Sequence, residues 1–99
     1  MPHAIRKAHR DDPIRNAVAN FCENLDGAQH LLSGGSGGSA KDLVNNALSD
    51  LTAVLASSGV RDLTVSVNHL GRIEAFLDYS DEFGDIRLTY TARNPINAL

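Results

Sequence analysis

The chain has 99 residues, 42% hydrophobic, 21% charged and 5% aromatic, with a net charge of −3. That balance fits one small globular domain with a single core, and excludes intrinsic disorder, which needs lower hydrophobicity and a larger net charge. The longest apolar run, Ala53-Val54-Leu55-Ala56, is too short for a membrane span, and an acidic chain has no overall basic footprint for nucleic acid.

In chain order, residues 1–11 come first, with Arg6, Lys7 and Arg10 among them. They read as a flexible basic arm, without the apolar core of a secretion signal. The lone cysteine, Cys22, cannot form an internal disulfide, which suits a reducing compartment. A cytoplasmic protein is the expectation from both features. All 99 residues are expected to form one domain.

Asp11-Asp12-Pro13 has the form of a helix start, an acidic cap followed by a proline whose fixed φ suits the first turn. From Ile14 the apolar residues Val18, Phe21, Leu25, Ala28 and Leu32 recur at helical spacing. Residues 33–39 then contain a Gly-Gly-Ser repeat. Glycine leaves the backbone unrestrained and serine keeps it solvated, so this stretch reads as a flexible linker. Its composition is that of an engineered linker, which would replace a longer mobile loop or join the old ends of a permuted chain; a natural loop is the alternative. It is not a phosphate-binding loop, because Lys41 is flanked by Ala40 and Asp42 and no strand precedes the glycines.

A second helix is expected from Ser39, with Asp42 three residues on as a weak capping box. Its stripe runs through Leu43, Ala47, Leu48, Leu51 and Leu55, and Gly59 is free to end it in the left-handed conformation. Beyond Gly59 the period changes to two. Three alternating runs follow, at residues 63–68, 73–80 and 86–93, separated by short turns that end in Gly71 and Gly84. Short turns require antiparallel neighbours, so the fold class is α+β: a helical hairpin packed on one face of a three-stranded meander.

The turns also set the register. Pairing Asn68 with Arg72, and Ser80 with Asp85, places every inward apolar residue opposite another. A slip of one residue destroys this on both hairpins. The outward face then carries the rows Asp62–Asp78–Arg87, Thr64–Phe76–Thr89 and Ser66–Glu74–Thr91, ending in Asn68, Arg72 and Arg93.

Chemistry is sparse along this chain. The four histidines, His3, His9, His30 and His69, lack the short spacing of zinc ligands. Asp78, Asp81, Glu82 and Asp85 crowd one turn without the regular spacing of a calcium loop. No nucleophile elbow is present, and Cys22 lies on the buried stripe, where a thiol is inert. No catalytic residue, metal or cofactor is therefore assigned.

Phe76 stands out as an aromatic at the centre of a polar sheet face. Polar residues around a central aromatic are how interface anchors are built. The expected function is a non-catalytic protein-binding module of the regulator, inhibitor, immunity or chaperone type. Its partner-binding residues are Thr64, Phe76, Thr89, Glu74, Arg72, Arg87 and Arg93. Self-association is also expected, because the first strand is an uncharged sheet edge beside Phe76; residues 96–99 could instead cover that edge. One alternative is a nucleic-acid-associated protein using the basic arm. The other is a small enzyme with a site between helices and sheet.

Overall fold

The computed structural model describes residues 13–56, 59–81 and 84–93. Two helices, α1 (Pro13–Ser33) and α2 (Gly37–Leu55), precede three strands, β1 (Asp62–Val67), β2 (Ile73–Asp81) and β3 (Gly84–Thr91). The sheet is antiparallel in the order β1-β2-β3. This is the α+β meander that the two periodicities predict. The basic arm at 1–11 and the tail at 96–99 lie outside the described residues.

The predicted register holds at every described rung. Val67 faces Ile73, Val65 faces Ala75 and Leu63 faces Leu77. On the other side Leu77 faces Leu88 and Tyr79 faces Ile86. Asp81 also pairs with Gly84. The second hairpin is therefore tighter than the four-residue loop expected there. Gly71 takes a positive φ of 78°, as the turn of the first hairpin requires, and Gly84, the first residue of β3, has φ 121°.

The Gly/Ser stretch is more ordered than a coil. Ser36 N–H bonds to the Leu31 carbonyl at 2.8 Å and Gly35 N–H to that of Leu32 at 3.1 Å, with Gly35 at φ 87°. These two bonds with a left-handed residue between them form a Schellman motif, which ties off the last carbonyls of α1. Ser36 is at once the N-cap of α2, although its side chain makes no capping bond. The second helix thus starts at Gly37, two residues before the expected Ser39, and its buried stripe begins at Ala40. The backbone hydrogen bonds of that first turn outweigh the poor helix propensity of two glycines.

The core sits between the helices and the sheet. Phe21, Leu25, Leu51, Leu55 and Leu77 are its largest fully buried side chains. Burial is graded across the sheet: the inward residues of β2 are buried, while Leu63, Val65, Ile86, Leu88 and Tyr90 on the flanking strands are half-buried. Val67 points inward at the end of β1, yet it remains 58% exposed.

Candidate functional site

The outer sheet face is built by the alternation of the three strands, which turns every second side chain away from the helices. Thr64 and Thr89 are exposed on either side of Phe76, which is half-buried between them. Together with Ser66 and Glu74 they line a shallow depression of about 190 Å³. That is below the roughly 300–1,000 Å³ of small-molecule sites.

Of the seven residues expected to bind a partner, Thr64, Glu74, Phe76 and Thr89 come together in this depression. Arg87 lies one rung away, opposite Asp78. Arg72 and Arg93 lie at the far end of the face. There the Arg72 guanidinium donates to the Ala92 carbonyl at 3.1 Å, so its charge closes the sheet end. Glu74 accepts from the Thr91 hydroxyl at 3.4 Å.

At the opposite end, Asp78 holds a charge network that spacing along the chain does not reveal. Arg61, just before β1, donates to Asp78 Oδ1 through Nη2 at 2.6 Å and Nε at 3.0 Å. Its Nη1 reaches Ser80 Oγ at 3.0 Å, and Ser80 in turn donates to Asp85 at 2.8 Å. Arg87, the expected partner of Asp78, approaches only to 3.6 Å. The hydrogen bond from Arg61, opposed by partial burial, lowers the Asp78 pKa below its ordinary value. The same bond raises that of Arg61. The crowded acidic turn is therefore partly neutralised by a cation from outside it.

Two polar groups tie α1 to the sheet. Gln29 is buried in the apolar stripe, 3% exposed. Its Oε1 accepts from Ile73 N–H at 2.7 Å and its Nε2 donates to the Gly71 carbonyl at 3.1 Å. The side-chain amide thereby continues the strand ladder where β3 has ended. Asp26 Oδ1 accepts from both the Tyr90 hydroxyl and the Arg93 backbone N–H, each at 2.8 Å. Burial first, and then this bond to Asp26, pushes the Tyr90 phenol up to about 12. Burial, with Asp26 nearby, also raises the Cys22 thiol, which disfavours the reactive thiolate.

Gln29 was detectable in the sequence as the one polar residue on the α1 stripe. Asp26 and Arg61 had no such signal. Among the described residues no group of three or more His, Cys, Asp or Glu comes together, and no described helix is long and apolar enough to cross a membrane. Gln29 and Asp26, the polar ties described between α1 and the sheet, are each satisfied by backbone or a neighbouring side chain. Comparison with known proteins adds nothing to the geometry: no family model, curated protein or solved structure matches this chain.

Proposed function

We propose that the chain is a non-catalytic protein-binding module of the cytoplasm, of the regulator, inhibitor, immunity or chaperone type. Its binding surface is the outer face around Phe76, and assembly with a second copy of itself belongs to the same reading. The observation that supports it is the placement of one aromatic at the centre of an uncovered polar face. Thr64 and Thr89 flank it, and no described element packs over it. An aromatic so placed loses water on both sides when a partner docks, which is what makes central aromatics dominate interface energetics.

Site-specific photo-crosslinking tests this reading. A photoreactive residue at Thr89 should yield a discrete protein adduct in cells. The same residue at Asn20, an exposed site on α1, should not. Introducing Phe76→Lys should abolish the Thr89 adduct. Equal adducts from both sites, or a Thr89 adduct indifferent to Phe76→Lys, would sink the proposal.

A further inference from the structure

From the β1 edge we infer that this chain forms a two-fold dimer in which β1 pairs antiparallel with β1 of a second copy about Val65. The inference rests on the protein-binding reading above and names one partner within it, the chain itself.

Among the described residues β1 is a free edge, and the register sets which of its groups are open. Asn68 N–H bonds to the Arg72 carbonyl at 2.8 Å. In an antiparallel pair the bonded rungs alternate, so Ser66 and Thr64 also bond to β2. The N–H and C=O groups of Leu63, Val65 and Val67 therefore point away from the sheet, unpaired by β2. Such an edge is a template for another strand, and proteins usually blunt it with charge or proline. Residues 63–67 contain neither. The other edge differs, since β3 carries Asp85 and Arg87, and its end is held by Asp26.

Two grooves open along this edge beneath α2. One lies beside Val65 and Val67 and is walled by Val44 and Leu48. The other lies beside Leu63 and Val60 and is walled by Leu48 and Leu55. Their mouths carry exposed apolar surface, with Val67 58% and Val60 39% exposed. A two-fold axis at Val65 sets Leu63 opposite the partner's Val67 and Val67 opposite the partner's Leu63. One operation thus brings an apolar side chain to the mouth of each groove.

Face and charge are conserved by the same operation. Thr64 meets the partner's Ser66 on the outer face, and Asp62 meets the partner's Asn68. No like charges are opposed. Above the sheet, α2 runs antiparallel to its copy along Lys41, Asn45, Leu48 and Thr52. The two Lys41 ammonium groups lie at opposite ends of that line. Strand pairing over five residues with one flanking helix is a small contact beside the roughly 1,200–2,000 Å² of stable interfaces. A micromolar dimer is the expectation.

Sedimentation equilibrium from low micromolar to high micromolar concentration is the test. The wild-type mass should rise from one chain to two. Val67→Lys, at a site exposed in the monomer, should weaken the dimer by about tenfold or more by burying an unpaired charge. Phe76→Lys should leave it unchanged. In a Cys22→Ser background, Thr64→Cys with Ser66→Cys should give a reducible covalent dimer, because those positions face each other across the axis. A single-chain mass at every concentration overturns the inference, yet leaves the protein-binding reading to the Thr89 crosslink. A dimer lost with Phe76→Lys and kept with Val67→Lys also overturns it. Where both variants lose the dimer, the cysteine pair decides, and failure to crosslink counts against the edge.

Discussion

On one flank of the sheet α1 reaches the strands with polar side chains: Asp26 takes the Tyr90 hydroxyl and the Arg93 N–H, and Gln29 takes Ile73 and Gly71. On the other flank α2 meets β1 through Val44, Leu48 and Leu55, with grooves left between them. The two chemistries have different consequences. A charge-assisted or buried hydrogen bond fixes a distance and a direction, whereas apolar contact is non-directional and tolerates sliding. The α1 flank is thereby locked to the end of the sheet, and the α2 flank is left able to accept another surface. The contrast fails if substitutions on the two flanks behave alike.

The largest effect belongs to the layer common to both flanks. Leu51 is 1% exposed and belongs to the core cluster. Leu51→Ala should cost about 3 kcal/mol through lost burial and the cavity left behind. Denaturant unfolding measures it. A midpoint unchanged from wild type would mean that α2 does not seal the core.

Next comes the polar clamp. Gln29→Leu keeps the side chain's bulk and removes its amide, leaving the buried Ile73 N–H without an acceptor. The expected cost is about 2 kcal/mol, the penalty for an unsatisfied buried donor. Hydrogen exchange at Ile73 should speed up well beyond what global destabilisation alone gives. If Gln29→Leu is neutral, the α1 flank is held by apolar contact as well, and the contrast disappears.

Much of this architecture was legible in the chain because periodicity is local. The change of period after Gly59 and the glycine-ended turns determine the helical hairpin, the meander and its register. The polar ties were not legible in the same way, because Gln29 and Asp26 find partners 42 to 67 residues away. Arg61 lies outside the alternating run, so a strand pattern gives no reason to aim it at Asp78. The early start of α2 was hidden because glycine propensity argues against a helix that the Schellman turn makes favourable. Phe76 stands on the outer face, as the alternation requires, and is half-buried there.

Asp26 gives a smaller effect with a spectroscopic signature. Asp26→Ala leaves the Tyr90 hydroxyl and Arg93 N–H to water, at an expected cost of about 1 kcal/mol. The wild-type Tyr90 phenol is raised from 10.0 to about 12. The neutral phenol is thus favoured by the fold. The stability this confers is present in full below pH 10.0 and is lost as the pH rises through about 12. Burial is the larger cause of the shift, so Asp26→Ala should lower the Tyr90 value only part of the way. A phenolate absorbance titration in a Tyr79→Phe background reads it directly. Full return to the ordinary value would mean that Asp26, rather than burial, controls the phenol.

The smallest expected effect lies on the open flank. At 58% exposure Val67 contributes little to the isolated chain, and a long charged side chain there can keep its ammonium in water while its stem covers the groove. Val67→Lys should therefore change monomer stability by no more than about 0.5 kcal/mol. Unfolding has to be followed at high dilution, because a dimer would add a concentration-dependent term. Tyr90→Lys occupies the corresponding inward position near the end of β3, where the side chain is half-buried and bonded to Asp26. It should cost several times as much as Val67→Lys. Similar costs at the two positions would show that β1 is closed by α2 as firmly as β3 is closed by α1, and the open edge would lose its basis.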